Sequence, residues 1–192
     1  ALDRSCSERR VGEDFALVMD TSSSMLARGA DGEPRLTAAV LAASRFVDTL
    51  VMPVDRAAIV TFGGEARLVQ RLTANRGALQ HVLGGLFQHH GVGSRLDLGL
   101  AAAHGALFDL SQGYPGPQPQ TQDALRPRTV VVISDGASPE REAAQAAAEA
   151  LRARGVAVWA IGIGDPPDEA VLRGLTGNPD RYVRGEPEAA LN

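Results

Sequence analysis

The chain alternates short apolar runs with longer segments in which apolar residues recur every three or four positions. The short runs carry β-branched or aromatic residues and end in Gly, Asp or Ser, a pattern typical of buried strands. They predict strands over residues 15–20, 56–62, 129–133 and 156–163. A weaker alternation predicts a half-exposed edge strand over 66–72, and a last short run predicts a strand over 181–184.

The segments between these runs have helical periodicity. They predict helices over residues 36–51, 75–87, 95–110, 139–154 and 168–175. Residues 111–127 are rich in Pro and Gly and predict a surface loop, and the tail from Glu186 has the pattern of a helix cut short. Because strands that alternate with helices form βαβ units, we expect an α/β fold of three layers. It is a doubly wound, Rossmann-like, mostly parallel sheet with one short antiparallel edge strand and helices on both faces.

Composition narrows the class of protein. The 192 residues are 44% hydrophobic and 22% charged, which is ordinary for a globular domain. The net charge is −4, the chain has no Lys so that Arg carries its positive charge, and no basic stripe is visible, so a nucleic-acid binder is not expected. No stretch is long and apolar enough to insert into a membrane. We expect residues 1–12 to be a polar lead-in, and residues 13–192 to form one domain of a larger protein.

Oxygen-bearing side chains follow three of the predicted strand-to-helix junctions. Asp20, Ser22 and Ser24 follow the first strand, Ser94 follows a Gly-rich turn, and Asp135 follows the Val-rich strand. Because ligands bind at the carboxyl edge of an open α/β sheet, these loops can meet there. Carboxylates and hydroxyls suit a small hard cation such as Mg²⁺. Each group taken alone has a simpler explanation, namely helix capping or turn formation.

These motifs resemble the von Willebrand factor type A domain, which is shared with integrin inserted domains. The motif Asp-Thr-Ser-Ser-Ser at 20–24 resembles the Asp-x-Ser-x-Ser signature of the family's metal-ion-dependent adhesion site, and the pattern around Asp135 resembles its later strand-Asp-Gly. Ser94 stands where the family usually has Thr, which keeps the hydroxyl but loses the methyl that restrains the rotamer. The resemblance implies that Asp20, Ser22, Ser24, Ser94 and Asp135 hold Mg²⁺, with Mn²⁺ or Ca²⁺ as alternatives.

The resemblance also implies a function, because in the family an acidic residue of a partner protein completes the coordination of the metal. We therefore expect a non-enzymatic, adhesion-type module that binds an Asp or Glu of a protein ligand. It is expected to be monomeric and to belong to a bacterial surface or secreted protein. The alternative is an intracellular adaptor of a AAA+ ATPase of the MoxR or metal-chelatase type.

A phosphotransferase with Asp20 as nucleophile is disfavoured. Haloacid-dehalogenase-like enzymes carry a second Asp where this chain has Ser22, and no Lys exists to stabilise the charge.

Overall fold

Six strands form one sheet in the part of the chain that the computed structural model describes, residues 11–29, 32–88, 91–108 and 126–185. They are β1 (Asp14–Asp20), β2 (Arg56–Phe62), β3 (Ala66–Thr73), β4 (Arg128–Ser134), β5 (Ala157–Ile163) and β6 (Tyr182–Gly185). Their order across the sheet is β3-β2-β1-β4-β5-β6. Only the β2–β3 pair is antiparallel. The expected mostly parallel sheet with one antiparallel edge strand is confirmed.

Five α-helices cover the two faces of the sheet within these ranges. They are α1 (Arg35–Thr49), α2 (Arg76–Gly85), α3 (Leu96–Phe108), α4 (Arg141–Ala153) and α5 (Glu169–Thr176). The core on one face contains residues of α1 and α2, and the core on the other face contains residues of α3, α4 and α5. The three-layer, doubly wound architecture is therefore confirmed.

The central strand β1 shows why its sequence is a continuous apolar run. Leu17 and Met19 pack into the core on the α1 and α2 side, whereas Ala16 and Val18 pack into the core on the opposite side. All four side chains are fully buried. A strand covered on both faces has no need for the polar alternation of a half-exposed strand.

Element boundaries differ from the sequence predictions by at most two residues, and β2 has the predicted bounds. Helix α1 ends at Thr49 rather than at residue 51, and the expected helix over 75–87 divides into α2 and a 3-10 turn over Leu86–Gln88. Helix α4 begins at Arg141 rather than at 139. The predicted loop over 111–127 lies almost wholly outside the described residues, and the predicted tail helix lies entirely outside them.

The order of the strands creates a crevice between β1 and β4. The chain leaves β1 through α1 toward β2 on one side, and it leaves β4 through α4 toward β5 on the other. Such a reversal is the topological switch point at which open α/β sheets bind ligands. The carboxyl ends of β1 and β4, residues Asp20 and Ser134, lie at this point.

No helix among the described residues has the length and apolar character needed to cross a bilayer.

Candidate metal site

Asp20 is the last residue of β1 and its side chain is fully buried. Its Oδ1 accepts a hydrogen bond from the Ser22 amide at 2.9 Å, and its Oδ2 accepts one from the Ser134 hydroxyl at 2.5 Å. Burial raises the pKa of Asp20 to about 6, against the lowering effect of the bonds from Ser134 and Ser22. The nearby charge of Asp135 adds to the rise. A neighbouring cation stabilises the charged form of a buried carboxylate such as this one.

Ser22 and Ser24 lie in the loop that follows β1. Their hydroxyl oxygens are 2.9 Å apart, so both point toward one locus. A 3-10 turn over Ser23–Leu26 shapes this loop, and Met25 anchors it by inserting into the core beneath α1. Ser23 is exposed and takes no part in the cluster. The alternate spacing of the two hydroxyls along the loop therefore brings them together, as predicted.

The loop that carries Ser94 packs beside the first loop and the β2–β3 turn. The Gly91 amide donates to the Thr21 carbonyl at 3.0 Å, and the Arg95 amide donates to the Gly63 carbonyl at 2.7 Å. Gly64 allows this close approach, because a Cβ at that position would lie 2.4 Å from the Val92 carbonyl oxygen. The turn between β2 and β3 thus determines where Ser94 lies.

The hydroxyl of Ser94 is buried and has no hydrogen-bond partner among the described residues. The carbonyl oxygen of the same residue accepts a bond from the Ser138 hydroxyl at 3.3 Å, which ties this loop to the loop after β4. A buried hydroxyl without a partner costs free energy. Its oxygen is free to act as a ligand.

Asp135 follows β4 and is 4% exposed. Its Oδ1 accepts a bond from the Ala137 amide at 3.0 Å, and its Oδ2 lies 3.1 Å from an Nη atom of Arg35, the first residue of α1. The carbonyl of Asp135 accepts a bond from the Asp168 amide at 2.7 Å, which fixes the loop to the start of α5. The carboxylate is therefore held in a defined orientation at the crevice.

The predicted site residues all lie at the end of β1 or on three loops that contact one another at this edge of the sheet. Bonds between the loops join Thr21 to Gly91, Ser94 to Ser138, and Asp20 to Ser134. In the described parts of the chain, no group of three or more His, Cys, Asp and Glu side chains could hold a metal. A cation at this edge would therefore be held by hydroxyls as well as carboxylates. The pair of close hydroxyls and the unpartnered hydroxyl of Ser94 fit a hard divalent cation.

Sequence reasoning missed two residues that touch this cluster. Ser134 bonds to Asp20, a contact that depends on β4 lying beside β1 in the sheet. Arg35 pairs with Asp135 although the two are 100 residues apart. No local pattern around Arg35 pointed to that contact.

Comparison with known families shows which family the chain belongs to. The sequence profile of the von Willebrand factor type A domain matches residues 14–191. The chain belongs to this family. Sequence comparison with curated proteins gives no match. The domain bounds of 13–192 remain a prediction.

Solved structures share this von Willebrand factor type A fold. An aerotolerance-related membrane protein from Bacteroides fragilis is 21% identical, with a TM-score of 0.74 over 91% of this chain and 92% of its own. Proximal thread matrix protein 1 from the mussel byssus, with a zinc-occupied metal-ion-dependent adhesion site, is 20% identical, with a TM-score of 0.64 over 93% and 43%. The pilus adhesin SpaC from Lactobacillus rhamnosus GG is 15% identical, with a TM-score of 0.72 over 92% and 28%. The chain thus spans less than half of the last two proteins.

Proposed function

We propose that this domain is a non-enzymatic, metal-dependent protein-binding module of the adhesion type. Asp20, Ser22, Ser24, Ser94 and Asp135 would hold a divalent cation, Mg²⁺ or Mn²⁺, at the carboxyl edge of the sheet. An Asp or Glu side chain of a partner protein would then bind to the cation. The bound metal supplies a positive charge with an open coordination position.

The observation that carries this proposal is the buried, unpartnered hydroxyl of Ser94. It lies in a loop bonded to the loops of Thr21 and Ser138, and so beside the two carboxylates. A residue with a purely structural role would bond its hydroxyl to the backbone, as Thr21 does with the Phe62 carbonyl at 3.0 Å. The free oxygen of Ser94 supports a role as ligand.

The donor set supports an anionic partner. Three of the five proposed ligands are neutral hydroxyls, so two carboxylates are the only negative charges that the set offers to a dication. Mg²⁺ takes six oxygen ligands and retains several waters. One of these waters can be replaced by a carboxylate from outside, and this exchange would make binding depend on the metal.

The context of the domain is also part of the proposal. The similar structures include a pilus adhesin, a byssal matrix protein and a membrane protein, which favours a surface or secreted location over the cytoplasm. We expect a monomeric domain with a protein partner. The adaptor of a AAA+ ATPase would use the same site chemistry and stays a prediction.

Calorimetry tests the metal site directly. Mn²⁺ and Mg²⁺ are titrated into the wild-type domain and into Asp135→Ala, with and without acetate as a stand-in for the partner's carboxylate. Asp48→Ala is the matched control, because it removes an exposed carboxylate on α1. We expect saturable binding at one site, tightened by acetate. Loss of outer-shell groups already costs about 10–100-fold in metal affinity, so Asp135→Ala should weaken binding by at least about tenfold.

Two results would contradict the proposal. One is the absence of binding by the wild-type domain, with or without acetate. The other is equal binding by wild type and Asp135→Ala. Thermal melting of the metal-free proteins completes the test, because Asp135→Ala should fold, and a variant that does not fold would make the carboxylate structural.

A further inference from the structure

Arg35 introduces a positive charge into the cluster of proposed metal ligands. One of its Nη atoms lies 3.1 Å from Asp135 Oδ2, and the Arg35 side chain is 23% exposed against 3% for Asp135. Most surface ion pairs contribute little to stability. This pair is different in kind, because its carboxylate is buried and belongs to the proposed site.

The position of Arg35 is set by packing as well as by charge. Gly164, which follows β5, has φ +115°, and a Cβ there would lie 3.0 Å from Arg35 Nε and 3.1 Å from Cζ. A residue with a side chain at 164 would therefore push the guanidinium aside. Arg35 Nε is also buried and has no hydrogen-bond partner in the described part of the chain. The guanidinium thus lies against the backbone at the end of β5.

The charges of the cluster determine how Arg35 affects the binding of a cation and of an anion. Ionised Asp20 and Asp135 with Arg35 carry one net negative charge, and a bound dication would change this to one net positive charge. Without Arg35 the loaded site would be neutral. The arginine therefore opposes the cation by repulsion and by pairing with Asp135, and it favours any anion that binds to the loaded site.

We propose that Arg35 is an internal counter-ion that lowers the affinity of the site for its cation and raises the affinity of the loaded site for a carboxylate. This inference rests on the proposed function, since it assigns a specificity role at the same site. Arg35 is a positioning and charge-setting residue here, and none of the five proposed ligands is altered in its test.

The test compares Arg35→Gln with Arg45→Gln. Arg45 is exposed on the same helix, ten residues or about 15 Å further along. Both variants remove one positive charge, but only one removes it from the site. Calorimetry gives the dissociation constant of Mn²⁺. The proton relaxation of water in samples saturated with Mn²⁺ then reports how much acetate replaces metal-bound water.

The dissociation constants of Mn²⁺ and of acetate should change in opposite directions. For one unit charge beside a dication at a partly exposed site, we expect Arg35→Gln to tighten Mn²⁺ binding and to weaken acetate binding by about three- to tenfold each. Arg45→Gln should leave both within about twofold. The rise in melting temperature on adding Mn²⁺ should also be larger for Arg35→Gln than for wild type.

Other outcomes separate this inference from the proposed function. If wild type binds Mn²⁺ and Arg35→Gln changes neither constant, or weakens both, the counter-ion role is wrong and the metal site stands. If wild type fails to bind and Arg35→Gln binds, the arginine blocks the site and the inference is supported. If neither protein binds Mn²⁺, both the inference and the proposed function are wrong.

Discussion

The hydroxyl of Ser134 donates a 2.5 Å hydrogen bond to Asp20 Oδ2 and accepts one from the Gly136 amide at 2.9 Å. This contact joins the ends of β1 and β4 at the switch point of the sheet. It is one of the bonds that lower the pKa of Asp20 against the effect of burial. The charged form of Asp20 is therefore stabilised by a residue that is not among the five predicted ligands.

Replacing Ser134 with Ala should destabilise the metal-free protein more at pH 7.5 than at pH 4.5. Hydrogen bonds to charged groups contribute about 1.5–3 kcal/mol and neutral bonds about half of that. The bond from Ser134 therefore contributes the larger free energy only when Asp20 is ionised. Urea unfolding at the two pH values measures the difference. Ser138→Ala is the control, because its hydroxyl donates to a backbone carbonyl, and it should cost the same at both values.

The raised pKa of Asp20 predicts a pH dependence for the metal-free protein. Its pKa is 3.8 ordinarily and about 6 in the fold, so the folded state binds the proton more tightly. The resulting stabilisation is fully present below pH 3.8 and is lost as the pH rises through about 6. A shift of about two units corresponds to roughly 3 kcal/mol. The test measures the free energy of unfolding of wild type and of Asp20→Asn in EDTA at a series of pH values. The difference between the two proteins isolates the contribution of Asp20.

The same proton competes with the metal. Below about pH 6, Mn²⁺ affinity should fall by up to about tenfold per pH unit, because Asp20 must lose its proton. If the difference in the free energy of unfolding between wild type and Asp20→Asn stays constant from pH 4 to pH 7, the assignment of the raised pKa to Asp20 is wrong.

Ser94→Ala should weaken metal binding without destabilising the fold. The hydroxyl has no partner among the described residues, so its removal should leave the metal-free protein within about 1 kcal/mol of wild type, or make it more stable. Mn²⁺ affinity should fall by about tenfold or more. Calorimetry and urea unfolding provide the two numbers. A metal-free variant that is markedly less stable would mean that the hydroxyl is structural.

Much of this arrangement follows from local sequence. The strands were predictable because β1 and β4 are buried on both faces and so consist of unbroken apolar runs. Asp20, Ser22, Ser24 and Asp135 could be predicted as candidate ligands because their spacing after a strand is short and specific. Ser94 could be predicted as a candidate through the glycine turn before it. Each of these features is a property of fewer than ten consecutive residues.

The remaining features depend on contacts between distant segments. The bond from Ser134 to Asp20 exists because β4 lies beside β1, and the spacing of the strands along the chain does not encode that order. The pair between Arg35 and Asp135 needs the start of α1 to meet the loop after β4. An Arg at the start of a helix has many possible partners, and only the tertiary fold selects one.

Gly64→Ala should weaken metal binding from a position that bears no ligand. A Cβ at Gly64 would lie 2.4 Å from the Val92 carbonyl oxygen, a distance that forces the backbone near Ser94 to move. Overpacking of this kind costs about 1–3 kcal/mol, and we expect a loss of stability in that range together with weaker Mn²⁺ binding. Calorimetry and urea unfolding measure the two effects.

Gly105→Ala in α3 is the matched control for this change. A Cβ at Gly105 meets nothing within 4 Å, so Ala should stabilise the helix by about 0.5–1 kcal/mol and leave the affinity for Mn²⁺ unchanged. The two substitutions add the same methyl group and should have opposite effects on stability. If Gly64→Ala lowers stability while Mn²⁺ binds as tightly as to wild type, the position of Ser94 does not depend on the β2–β3 turn. In that case the packing of the turn against residues 91–93 serves the fold alone.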